Sequence, residues 1–297
     1  MNAERGRTIK SEKNNAMNTL ETLKGKTCVI TGGGGVIGSA LAHGLGEAGI
    51  VPVILDIDLD AARKVAETVS EETGTKAYGY KGNVLDKESL EEVHERIVTD
   101  VGELDFLING AGGNSPKATT ALEQLTEEEL DHLEDSFFGL QMEGFNKVFD
   151  LNFTGTLLPT MVFTKPMVKR QKGVVLNISS MNAYKPLTKI PAYSAAKASV
   201  NNFTEWLAVH FARVGVRVNA IAPGFFLTHQ NRFLLVDEKS GDLTKRGEKI
   251  IANTPMGSFG EPGDITGTML YLLSDMSHFV TGICIPVDGG YSAFGGV

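Results

Sequence analysis

The 297-residue chain has only two cysteines, Cys28 and Cys284, far apart and each within a short apolar run. Two such thiols cannot build a disulfide framework and have no zinc-type spacing, so they read as reduced, buried side chains. Long apolar stretches are also missing. No run approaches the ~18 residues of a membrane span, and the first residues lack an apolar signal core, so a cytoplasmic protein without a membrane partner is expected. Cations are scarce: 28 Lys and Arg stand against 36 Asp and Glu, a net charge of −8. That balance excludes a broad surface for nucleic acid or anionic lipid. A small anionic substrate remains possible, because it needs only a few local cations. His210 and His229 lack a second ligand three or four residues away, so no metal site is expected.

Glycine, by contrast, is plentiful, at 34 of 297 residues, against about 7% in an average chain. Residues 1–20 are polar, of mixed charge and without periodicity, and read as a disordered tail. From 21 to 297 short apolar runs alternate with helical patterns. Strands are expected at 27–31, 52–56, 76–81, 105–109, 173–179, 216–222 and 283–287. Helices are expected at 36–49, 61–72, 87–101, 148–168, 192–213 and 264–273. Runs of about five apolar residues without polar alternation suit strands covered on both faces. Regular alternation with helices predicts a parallel sheet with right-handed crossovers. The expected fold is α/β: one Rossmann-type domain with a doubly wound, seven-stranded parallel sheet and helices on both faces. Two excursions interrupt it, an acidic insertion at about 113–145 and a loop at about 225–257. In the first, Thr126 and Glu129 have the spacing of a capping box.

Three groups of residues carry chemistry. Thr31-Gly32-Gly33-Gly34-Gly35-Val36-Ile37-Gly38 lies between the first strand and the first helix, where backbone N–H groups and a helix N-terminus can hold a pyrophosphate. Asp56 ends the second strand, where a carboxylate accepts hydrogen bonds from an adenosine ribose and repels a 2′-phosphate. NAD is therefore expected over NADP. Tyr193 and Lys197 are spaced i, i+4 and share a helix face. A nearby ammonium, together with a nicotinium charge, favours the phenolate and lowers a tyrosine pKa from its free value near 10. Ser180, 13 residues upstream at the end of the fifth strand, can hydrogen-bond the same substrate oxygen.

In their order and spacing these motifs resemble those of the short-chain dehydrogenase/reductase family, from about Lys24 onward. Thr31–Gly38 is similar to its T-G-x-x-x-G-x-G turn, Asn109-Gly110-Ala111-Gly112 to N-N-A-G, Pro223-Gly224 with Thr228 to P-G-x-x-x-T, and Asp288-Gly289-Gly290 to a terminal D-G-G. Two residues depart from the pattern: Val36 stands for a glycine and Gly110 for an asparagine. The resemblance implies Asn152, Ser180, Tyr193 and Lys197 as the catalytic set, with Asn152 anchoring a water beside Lys197. It implies that Gly32, Gly34, Gly35, Ile37, Gly38, Asp56, Asn109, Ala111, Tyr193, Lys197, Gly224 and Thr228 meet NAD, that Asn83 and Val84 lie beside the adenine, and that the backbone at Phe226 meets the nicotinamide amide. It also implies a homotetramer.

Residues 177–188 and 223–232 further resemble a subgroup of D-mannonate oxidoreductases, also called fructuronate reductases. That implies a small sugar-acid or polyol substrate, with Ser180, Asn182, Tyr193, Gln230 and Arg232 as its contacts. Arg232 is the first candidate to grip a carboxylate, with Lys185 and Arg246 behind it. A 3-oxoacyl or similar carbonyl reductase and a catalytically silent NAD-binding regulator are the competing readings. Asp56 and the intact Asn152, Ser180, Tyr193 and Lys197 set speak against them.

Overall fold

A computed structural model describes residues 20–228, 231–237 and 240–296. The expected tail, apart from Leu20, lies outside the described residues. Seven strands are present: β1 (Thr27–Thr31), β2 (Val51–Asp56), β3 (Tyr78–Lys81), β4 (Phe106–Asn109), β5 (Gly173–Ile178), β6 (Val216–Pro223) and β7 (Cys284–Val287). They form one sheet in the order β3-β2-β1-β4-β5-β6-β7, and every neighbouring pair is parallel. The helices are α1 (Val36–Glu47), α2 (Leu59–Thr73), α3 (Lys87–Asp100), α4 (Met142–Phe149), α5 (Gly155–Arg170), α6 (Pro191–Phe211), α7 (Arg232–Leu235), α8 (Lys245–Ala252) and α9 (Thr266–Leu273). This is the expected Rossmann-type arrangement. No helix among the described residues is long and apolar enough to cross a membrane.

The strands read as unbroken apolar runs because each face of the sheet has its own core. Cys28 and Ile30 of β1 pack with Leu41 and Leu45 of α1 and Met269 and Leu272 of α9. Val29 points the other way, onto Leu90 and Ile97 of α3 and Phe163 and Met167 of α5. Alternate side chains are thus apolar for opposite faces. Burial also pushes the Cys28 thiol pKa up, leaving it an inert core residue.

Strand order reverses where β1 lies between β2 and β4. The crevice at that switch point, beyond the carboxyl ends of the strands, is where such sheets take ligands. A polar spine holds its far side. Asn109 Nδ2 donates to Thr160 Oγ1 at 2.9 Å and to Asn177 Oδ1 at 2.8 Å, and Asn177 Nδ2 donates to Thr204 Oγ1 at 2.8 Å. These buried bonds tie β4 and β5 to α5 and α6.

The structure corrects several boundaries. The helix expected at 148–168 starts earlier, at Met142, and is broken by a π-helical turn at Asp150–Thr154. In that turn the Asn152 side chain donates to Val148 O at 2.8 Å and draws off a carbonyl of the helical ladder. Helix α2 begins at Leu59, because Asp58 caps it by accepting from the N–H groups of Asp60 and Ala61. The 113–145 insertion is built from four 3₁₀ turns before it runs into α4. The Thr126–Glu129 capping box is present, on a 3₁₀ turn at Glu127–Glu129. The 225–257 excursion holds α7 and α8, the latter capped by Thr244 Oγ1 accepting from Gly247 N–H at 3.1 Å.

Asn177→Ala would strip a partner from Asn109 and from Thr204 at once. Each buried hydrogen bond lost costs about 0.5–1.5 kcal/mol, so the urea midpoint should fall. An unchanged midpoint would remove the spine from the list of forces holding the sheet to α5 and α6.

Candidate active site

A cavity of about 890 Å³ opens at the carboxyl ends of the strands. It begins at the glycine turn after β1. Gly32 has φ +65°, a conformation that strains any other residue, and a Cβ there would lie 2.7 Å from Ala111 Cα. A Cβ on Gly38 would lie 2.4 Å from Gly32 O. Bare backbone therefore lets α1 start tight against the turn, with Gly35 at its cap facing the cavity. Asp56 anchors the other side. Its Oδ2 accepts from Gly34 N–H at 3.0 Å and its Oδ1 from Asp58 N–H at 3.1 Å.

At the opposite end, α6 carries Tyr193 and Lys197 into the cavity beside Ser180. Lys197 Nζ donates to Ile178 O at 2.8 Å and lies 5.7 Å from the Tyr193 ring centroid. Burial pulls its pKa down from 10.5 to about 8, with the charge of Cys284 acting the other way. Burial raises the Tyr193 pKa, and a hydrogen bond from the Ser180 side chain opposes this. Asn182 N–H donates to Ser180 Oγ at 3.2 Å. That engages a Ser180 lone pair and leaves its single proton for Tyr193.

The family model described as enoyl-(acyl carrier protein) reductase matches residues 34–292. An uncharacterized oxidoreductase of Bacillus subtilis is 51% identical over 278 residues, 93% of this chain and 98% of that protein. A 5-keto-D-gluconate 5-reductase of Escherichia coli is 34% identical over 275 residues, 92% of this chain and 98% of that protein. This chain belongs to the short-chain dehydrogenase/reductase family. It is therefore an oxidoreductase of the NAD(P)-dependent dehydrogenase/reductase type. The crystal structure of a "putative D-Mannonate oxidoreductase" from Haemophilus influenzae with bound NAD has a TM-score of 0.87 to it at 50% identity, covering 93% of this chain and 98% of that one.

The cavity of this short-chain dehydrogenase/reductase fits a dinucleotide. The turn leaves room for phosphates at the α1 N-terminus, and the Asp56 carboxylate keeps lone pairs for a ribose diol. Most of the expected cofactor residues line it: Gly32, Gly35, Ile37, Gly38, Asp56, Asn83, Val84, Ala111, Gly224, Phe226 and Thr228. Others are placed elsewhere. Gly34 is turned to Asp56, and the Asn109 side chain is occupied by the polar spine beneath the floor. Asn152 clamps Gly113, accepting from its N–H at 3.2 Å and donating to its carbonyl at 2.7 Å, and its Oδ1 and Lys197 Nζ both approach Gly112. Asn182 is buried, with its Oδ1 unpartnered.

Of the expected substrate contacts in the second excursion, Gln230 lies outside the described residues. Arg232 is exposed and does not line the cavity. It opens α7, in an exposed first turn with Phe233 and Leu234. Asn231 lines the cavity instead, with Oδ1 accepting from Thr228 N–H at 2.8 Å and Nδ2 donating to Phe226 O at 2.9 Å. Sequence reasoning missed Ile57 and Leu85, exposed apolar residues on the cavity wall. The available signal was an apolar residue standing in each of two polar turns, between Asp56 and Asp58 and just before Asp86.

The buried ammonium makes a stability prediction. Lys197 has its folded pKa below the unfolded one, so between about pH 8 and 10.5 the unfolded chain binds more protons and stability rises with pH through that window. Below it the burial penalty is fully present. Lys197→Met should unfold at higher urea than wild type at pH 7, by about 1–3 kcal/mol, with the gap closing near pH 10. Equal midpoints at both pH values would contradict the buried charge.

Proposed function

We propose that this chain transfers a hydride between NAD and a secondary alcohol or ketone of a sugar acid, with D-mannonate and D-fructuronate as the leading pair. The observation that carries the reading is the Ser180–Tyr193–Lys197 group opening onto a cavity that also holds the glycine turn and Asp56. NAD, when bound, supplies the hydride acceptor or donor. Tyr193 takes the proton from the substrate hydroxyl, or returns it to the carbonyl oxygen. Ser180 orients that oxygen and stabilises charge developing on it. Lys197 holds positive charge beside Tyr193 and offers its remaining N–H groups to a ribose. Asn152 positions the Gly113 backbone at the cavity wall. The fit of a sugar acid is supported by the D-mannonate and gluconate names among similar proteins. Other polyols and gluconate-type acids are the alternative within the same chemistry, and the description of the matching family model keeps an acyl-thioester reductase as the second reading. We place the enzyme in the cytoplasm, as a homotetramer; Trp206 and Val209, 58% and 80% exposed on α6, are the apolar surface that assembly would cover.

Tyr193→Phe should lower kcat by about 10²–10⁴ while NAD affinity stays within a few fold. Near-normal turnover would remove Tyr193 as the proton-transfer group. Asp56→Ala should raise kcat/KM for NADP relative to NAD, and an unchanged ratio would mean that Asp56 does not select the cofactor. Assays of D-mannonate, D-gluconate, mannitol and an acetoacetyl thioester, followed by absorbance of the reduced nicotinamide, decide the substrate class. Activity confined to the thioester would overturn the sugar-acid assignment.

A further inference from the structure

Hydride transfer places the nicotinamide beside Tyr193, and a turn of chain reaches that end of the cavity from β6. Strand β6 is paired with β5, Ile221 opposite Ile178, and Ser179 N–H donates to Ile221 O at 2.8 Å. Residues just past β6 therefore emerge beside Ser180, across the sheet from β2 and Asp56. Phe226, Thr228 and Asn231 line the cavity there.

The two ends of this turn are held differently. Phe226 is buried and fixed by Gly260, ahead of α9. Leu227 N–H donates to Gly260 O at 2.8 Å, and Gly260 N–H donates to Phe225 O at 3.0 Å. A Cβ on Gly260 would lie 2.7 Å from the Phe226 ring, so the contact is close. Thr228 is held by Asn231. Asn231 Oδ1 accepts from Thr228 N–H at 2.8 Å, and Thr228 Oγ1 accepts from Asn231 N–H at 3.3 Å. This reciprocal pair is a capping box at the entry to α7. Asn231 Nδ2 also donates to Phe226 O at 2.9 Å and ties the two ends together. The Thr228 hydroxyl has a single proton. With its oxygen accepting from Asn231, that proton is left to donate, at the end of the cavity where the nicotinamide carboxamide offers a carbonyl oxygen.

We propose that Asn231 is a positioning residue for the cofactor: it holds Thr228 so that the threonine hydroxyl donates to the nicotinamide carboxamide. The inference rests on NAD use and holds for any substrate. Asn231 lines the cavity, yet its side-chain amide is committed at both ends, to Thr228 and to Phe226. It therefore acts through the turn. Because Gly260 secures Phe226 independently, loss of Asn231 releases Thr228 first. A residue that did no more than start α7 would change stability and leave nicotinamide binding untouched.

The test is calorimetric titration of wild type and variants with NADH and with ADP-ribose. ADP-ribose lacks the nicotinamide and reports on the rest of the cofactor site. Asn231→Ala should weaken NADH binding by about fivefold and leave ADP-ribose unmoved. Asn231→Asp keeps the acceptor for Thr228 N–H and should restore most of the NADH-to-ADP-ribose ratio. Thr228→Val removes the hydroxyl, and in that background Asn231→Ala should cost little more. An unmoved ratio in Asn231→Ala, a parallel loss of both ligands, an Asn231→Asp ratio no better than that of Asn231→Ala, or an undiminished cost in the Thr228→Val background would each overturn the assignment.

Discussion

The bond from Lys197 Nζ to the carbonyl of Ile178 fixes α6 against the end of β5, and the geometry of the site follows from it. Tyr193 lies one turn back on the same helix and is brought to Ser180, two residues beyond Ile178. The ammonium is buried and its charge is costly there, as its lowered pKa records. The polar spine from Asn109 through Asn177 to Thr204 supports the same junction from below. Together these buried polar contacts specify one placement of α6 on the sheet, which apolar packing alone leaves free to slide.

Much of this was legible in the residues. Strands with no polar alternation indicated a sheet covered on both faces, and the two cores confirm why. Asp56 at the end of β2 and the glycines after β1 were readable because their roles are local. The π-helical turn was not legible, because one extra residue in a helical turn hardly disturbs an apolar pattern. Arg232 falls in the exposed first turn of the short α7, which no apolar periodicity in the sequence marks.

The pairing of Glu123 with Lys249 was out of reach for the same reason as most long-range electrostatics: the two are 126 residues apart. The two excursions from the regular βα rhythm meet at that ion pair.

The most direct test of the site is the ionisation of Tyr193 itself, followed by NMR of ¹³Cζ-labelled tyrosine and assigned with Tyr193→Phe. In the free protein Tyr193 should not titrate below its ordinary value of 10.0, because burial outweighs the Ser180 hydrogen bond. With NAD bound, the added positive charge should bring the titration below that value. A Tyr193 that ionises below 10 in the free protein, or is unmoved by NAD, would contradict the proposed acid–base role and the geometry on which it rests.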